Sequence, residues 1–108
     1  MRVVNETVVN AGDMSANITQ VIYPELSYMV NLAVQSVYTG APTGTLQLYA
    51  SNDKTTWSTL GNAFSASISA SGDTLWNLAN IGYPYARVVY TYTSGTGNLT
   101  VKFFAKGA

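Results

Sequence analysis

Apolar and polar residues alternate along most of this chain, and the alternation is cleanest from Ser27 to Tyr38. There Tyr28, Val30, Leu32 and Val34 fall on one side while Asn31, Ala33 and Gln35 fall on the other. A period of two is that of a strand in a sheet with one buried face. The same pattern returns after a Gly/Pro turn at Gly40-Ala41-Pro42-Thr43-Gly44. Leu46, Leu48 and Ala50 point inward there, and Thr45, Gln47 and Tyr49 point out. Ser27 to Ala50 therefore reads as a long β-hairpin.

The stretch from Thr39 to Leu60 anchors the reading, because it joins that turn and strand to a polar Ser51-Asn52-Asp53-Lys54 turn and to Trp57. Upstream, Arg2 to Val9 suits an edge strand, Ala11-Gly12-Asp13 a turn, and Ser15 to Tyr23 a second strand stopped by Pro24. Downstream, Thr55 to Leu60 is a short strand. Ala63 to Ala70 sets Phe64, Ala66, Ile68 and Ala70 opposite Ser65, Ser67 and Ser69. A turn at Ser71-Gly72-Asp73 precedes Thr74 to Leu78 with Trp76, and Asn80 to Pro84 is a loop. Tyr85 to Thr93 puts Ala86, Val88 and Tyr90 on one face. After Ser94-Gly95-Thr96-Gly97, which reads as the last hairpin, Asn98 to Lys106 turns Leu99, Val101 and Phe103 inward and Phe104 outward. No helical period of useful length appears. About eight strands with turn signals every eight to twelve residues predict an all-β antiparallel sandwich, a jelly roll, as a single domain over residues 1–108.

Composition narrows the function. The chain has no histidine and no cysteine, so the commonest general base and metal ligand is missing, and the expectation is a non-enzymatic protein without cofactor or metal. Charged residues are 9% of the chain, with five basic against five acidic, where an average soluble domain has about 25%. A neutral chain without basic clusters is not built for phosphate backbones, so nucleic acid is not an expected partner. Near-zero net charge favours association, which predicts a homo-oligomer, a trimer among the candidate states. Neither a signal-peptide pattern nor a membrane span is evident, so the expectation is synthesis in a cytoplasm without membrane attachment.

Two resemblances sharpen this. The run Leu46-Gln47-Leu48-Tyr49-Ala50-Ser51-Asn52-Asp53-Lys54-Thr55-Thr56-Trp57 resembles the strand, Asp-turn and tryptophan signature of discoidin-type, galactose-binding-like jelly rolls. Tyr85-Ala86-Arg87-Val88-Val89-Tyr90 is similar to their later aromatic-x-Arg-apolar strand. More widely, Val37 to Gly44, Ala50 to Asp53 with Trp57, Ile81-Gly82-Tyr83 with Arg87 to Thr91, Ser94 to Gly97 and the Phe103-Phe104-Ala105-Lys106-Gly107 end resemble small structural proteins of tailed bacteriophages and prophages. The second resemblance implies a virion component, a capsid decoration or cement protein whose partners are capsid or other virion proteins. The alternative is a carbohydrate-binding module that reads host-surface glycans.

Candidate residues follow from both. Tyr38, Tyr49, Tyr83, Tyr85 and Tyr92 are expected at strand ends, in loops or outward, as an interaction surface, tyrosine being enriched where proteins meet. Asn52, Asp53, Trp57 and Arg87 form the ligand loop of the glycan alternative. Trp57 and Trp76 are expected in the core or at its rim, with sugar stacking as the other role. Ser51, Asn52 and Asp53 suit a self-bonded turn better than a cation site, as do Asp13 and Asp73. Arg87 is expected to pair with Asp53, Asp73 or Glu25, or to lie along an aromatic ring. No Gly-x-Ser-x-Gly elbow supports a serine nucleophile, and the sequons at Asn5, Asn17 and Asn98 read as chance in a Ser/Thr-rich chain.

Overall fold

The computed structural model describes residues 3–21, 29–61, 64–79 and 83–107. Nine strands are present among them: β1 (Val3–Asp13), β2 (Ile18–Val21), β3 (Met29–Gly40), β4 (Thr43–Ser51), β5 (Ser58–Thr59), β6 (Ser65–Ile68), β7 (Gly72–Ala79), β8 (Tyr85–Ser94) and β9 (Gly97–Gly107). They form two antiparallel sheets. Sheet A has the order β1-β9-β3-β7, and sheet B has β2-β8-β4-β5, with β6 also paired to β4. Each step from one strand to the next along β1 to β4 and from β7 to β9 is matched by a long-range pair, β1 with β9, β2 with β8 and β3 with β7. That nesting of strand pairs is the jelly-roll order, and the strands expected over Thr55–Leu60 and Ala63–Ala70 are present in shortened form as β5 and β6.

The core lies between the sheets and follows the alternation closely. Leu32 and Val34 of β3, Leu46 and Leu48 of β4, Ala86, Val88 and Tyr90 of β8, and Leu99, Val101 and Phe103 of β9 are all buried. Trp76 and Leu78 close the β7 side, and Met14 fills the end beneath the β1–β2 turn. Each fully buried large side chain contributes about 1.5–3 kcal/mol, so the alternating strands carry the stability of the fold.

Several local expectations are corrected. β1 runs through Ala11-Gly12-Asp13 without turning: a bulge with Ala11 at φ 53° absorbs the glycine, and the chain turns at Met14-Ser15 instead. Asp13 Oδ1 holds that later turn by accepting from the Ser15 N–H at 2.9 Å and the Ser15 hydroxyl at 2.7 Å. Val30 is exposed rather than inward, because the β3–β9 register slips between Met29 and Asn31. Gly72 and Asp73 belong to β7 rather than to a turn. Pro24, Glu25 and the 80–82 part of the expected loop lie outside the described residues.

The two expected hairpins are corners between sheets. β3 pairs with β7 and β9, β4 pairs with β5, β6 and β8, and among the described residues β3 and β4 form no ladder with each other. The β8–β9 connection crosses from sheet B to sheet A in the same way. These two crossings meet through the Ala41 N–H, which donates to Thr96 O at 2.9 Å, and the β1–β2 turn joins them through the Met14 N–H, which donates to Gly97 O at 3.0 Å. Glycine is required at 95, where φ is 82° and a Cβ would collide with the Ala41 carbonyl, and at 97, where it would strike the Thr39 carbonyl. Alternation predicts which face a residue takes. It is silent on whether a Gly/Pro turn folds a strand back or hands it to the facing sheet.

Candidate functional site

Most of the nominated residues meet at one end of sheet B. β4 ends at Ser51, and the next five residues are wound around Asp53. Asp53 Oδ1 accepts from the Thr55 N–H at 2.8 Å, the Thr56 N–H at 2.9 Å and the Ser51 hydroxyl at 3.0 Å. Ser51 Oγ in turn accepts from the Asp53 and Lys54 N–H groups at 3.1 and 3.0 Å. The backbone bonds from Thr56 and Thr55, then the Ser51 hydroxyl, hold the Asp53 carboxyl below its ordinary value. Lys54 takes φ 63°, the left-handed position of this turn. The loop thus consumes its own carboxylate, and no group of three or more His, Cys, Asp or Glu that could hold a metal ion occurs among the described residues.

The turn delivers Trp57 over the outer face of sheet B, where its Nε1–H donates to Lys54 O at 3.2 Å. Arg87 on β8 stands directly opposite Tyr49 on β4. Its guanidinium lies 4.5 Å from the Trp57 ring and 5.5 Å from the Tyr49 ring, so the aromatic contact anticipated for it is realised. Such stacking suits the planar, weakly hydrated guanidinium. Arg87 Nε is buried and has no hydrogen-bond partner among the described residues. Two residues back on the same face, Tyr85 carries Lys54 Nζ at 4.7 Å from its ring centre. Beside this group a shallow cleft of about 360 Å³ is lined by Ser51, Asn52, Asp53, Thr56, Ser58 and Tyr83. Burial pushes the Tyr83 phenol up from its usual range. The cleft can offer hydroxyls, an amide and a phenol, and no acid/base pair.

The structure therefore gathers Tyr49, Tyr83 and Tyr85 with Asn52, Asp53, Trp57 and Arg87, merging two groups that the sequence reading kept apart. Two tyrosines stay outside. Tyr38 is not on the surface: it is 8% exposed, with its hydroxyl 3.0 Å from Thr74 Oγ1 and 3.3 Å from Asp73 O, because a β3 position that shares the Leu32 and Val34 face points into the sandwich. Tyr92 is exposed toward the corner end of β8, where its N–H is bonded to Asn17 Oδ1 at 2.7 Å. Trp57 is at the rim and Trp76 in the core.

A second surface was not nominated. The outer face of sheet A carries Val3, Phe104, Val37 and Leu75, which are 52%, 40%, 40% and 64% exposed. The registers place Asn5, Phe104, Ala33 and Asn77 in one row and Thr7, Lys102, Gln35 and Leu75 in the next. Phe104 stands between two shallow grooves of about 270 and 260 Å³. The legible signals were Phe104 on the polar side of β9 and Leu75 out of phase with Trp76.

No protein-family model matches the sequence, and no curated protein sequence does. Solved structures share its fold. The PBSX exported protein XepA superposes with a TM-score of 0.69 at 15% identity, over 97% of this chain and 37% of that one. The SPBc2 prophage-derived protein YomS does so with 0.65 at 12% identity, over 97% and 95%. The C-terminal CBM6 of LamC, a laminarinase of Zobellia galactanivorans, gives 0.52 at 9% identity, over 92% and 98%. This chain spans little more than a third of XepA and nearly the whole of YomS, and at these identities the likeness is one of fold.

Proposed function

We propose that this chain is a non-enzymatic structural component of a bacteriophage particle, a decoration protein that clamps capsid subunits through the outer face of sheet A. The observation that carries the reading is that face: a row of exposed apolar side chains set among amides and threonines, with Lys102, Lys106, Asp73 and Asp13 among its charges. Exposed apolar patches on soluble proteins mark interaction sites. Many copies on a shell would each bury Phe104, Val37 and Leu75 against neighbouring subunits, adding interface free energy where the shell is strained. The prophage origin of YomS, matched along nearly its full length, supports the same reading.

The experiment is to purify particles induced from the genome that encodes the chain and to weigh their proteins by mass spectrometry. The expected result is the chain at fixed stoichiometry, and its loss when Phe104→Ser is introduced. Particles without the chain overturn the reading.

The CBM6 likeness and the polar cleft beside Trp57 favour one other function, a module that binds glycans at the rim of sheet B. On a glycan array it predicts binding abolished by Asn52→Ala and untouched by Phe104→Ser.

A further inference from the structure

An open sheet exposes unpaired N–H and C=O groups along its edge strands, and native proteins blunt such edges with bulges, shortness, proline or charge. This sandwich has edges at β1 and β7 in sheet A, and at β2 and β5/β6 in sheet B. Three of these are blunted. β1 is broken by irregularities between Thr7 and Val9 and again between Val9 and Gly12, and it carries Glu6 and Asp13. β2 has four residues, β5 two and β6 four. β7 is different: it holds eight consecutive pairs with β3, from Tyr38↔Gly72 to Asn31↔Ala79, without a register shift. It contains no proline and no lysine, and Asp73 is its sole charge. Among the described residues nothing pairs with its far side.

We propose that β7 is the seam of a two-fold dimer, pairing antiparallel with β7 of a second copy of this chain. The occupant follows from the inventory of edges. A strand of matching length with its own unprotected edge is needed, and the chain supplies one, β7 itself. Two-fold symmetry then requires that each residue face one whose side chain lies on the same side of the sheet, which restricts the central registers to two. One centres on Leu75 and sets Asp73 opposite the second copy's Asn77. The other centres on Trp76 and sets Asp73 opposite the second copy's Ala79. Either keeps the two Asp73 carboxylates at least four residues, about 13 Å, apart, whereas an in-register parallel pairing would place them side by side. In both registers Leu75, 64% exposed in the single chain, lies on the seam, facing its own counterpart or Asn77. The product is an eight-stranded sheet that doubles the apolar outer face. The dimer holds whether or not the chain belongs to a virion.

Light scattering on the purified chain tests this directly. The expected mass is that of two chains, falling to one chain in Leu75→Lys, at least about tenfold weaker in self-association, with the near-ultraviolet spectrum of the fold unchanged. The chain has no cysteine, so Leu75→Cys/Asn77→Cys can be cross-linked without background, and mild oxidation should yield a covalent dimer in either register. Phe104→Cys, on the same face two strands in from the edge, should not cross-link. A single-chain mass at about 100 μM, a dimer indifferent to Leu75→Lys, or cross-linking through Phe104→Cys each overturns the proposal.

Discussion

The two sheets turn opposite kinds of surface to solvent. On sheet B the outward side chains are spent on one another: Arg87 lies against Trp57 and Tyr49, Lys54 over Tyr85, and Asp53 inside its own loop. On sheet A the outward large side chains, Phe104, Leu75, Val37 and Val3, stand exposed in rows with polar neighbours. Since conformational order is paid for wherever side chains are held, a surface locked by its own contacts gains stability, while one left open keeps its contact energy for a partner. The sequence elements behind this difference are small. A turn that places an aromatic over a cation makes the first surface, and a few apolar residues on the outward positions of β1, β3, β7 and β9 make the second.

The largest expected effect is on the locked surface. Trp57→Ala removes a half-buried indole, its hydrogen bond to Lys54 O and the roof over Arg87, and should cost about 2 kcal/mol in urea unfolding. A loss under about 0.5 kcal/mol would mean that the cluster is ornamental and the two faces energetically alike.

Much of this contrast was legible beforehand, and the part that was not has a physical cause. Faces were legible because the alternation in β4, β8 and β9 places Leu46, Val88, Tyr90 and Phe103 without ambiguity. The Arg87 stack was foreshadowed by an arginine inside a β-branched strand. The pairing of strands was not legible, since Gly40 to Gly44 has the chemistry of a hairpin turn yet serves as a corner between sheets. Tyr38 was misplaced because its amphipathic ring satisfies either face, and the nearby Thr74 hydroxyl that settles the matter comes from a strand distant in sequence. The open face was not legible because single outward apolar residues such as Phe104 and Leu75 are ordinary on a strand, and only the β1-β9-β3-β7 registers bring them into one patch.

A double-mutant cycle over Trp57→Ala and Arg87→Ala sharpens the comparison further. Their rings and guanidinium, 4.5 Å apart, should show a coupling of about 1 kcal/mol. The matching cycle on sheet A, Phe104→Ser with Leu75→Ser, should couple by less than about 0.3 kcal/mol at concentrations where the chain is a monomer, with each single change there within about 0.5 kcal/mol. Equal coupling on the two faces would show that sheet A is as self-engaged as sheet B.

The smallest effect separates the surfaces by pH. Asp53 has its carboxyl held below its ordinary value of 3.8 by bonds made only in the folded loop. A group depressed in this way contributes stability that is complete above its unfolded pKa and is lost as pH falls through its folded one. Acidification from about pH 5 to pH 2 should therefore loosen the 52–56 turn before the sheets give way, and the fluorescence of Trp57, tethered to Lys54 O, should report it. Asp13, depressed by its bonds from Ser15, should act likewise at the β1–β2 turn but lies remote from that indole in sequence and sheet. Asp53→Asn should abolish the acid transition, Asp13→Asn should leave it, and Trp57→Phe should remove the signal while the buried Trp76 stays silent. If Asp53→Asn retains the transition, or the Trp76 signal moves with it, the loop is not an independent acid-labile unit, and the outer surface of sheet B is held by its aromatic and cationic contacts rather than by its turn.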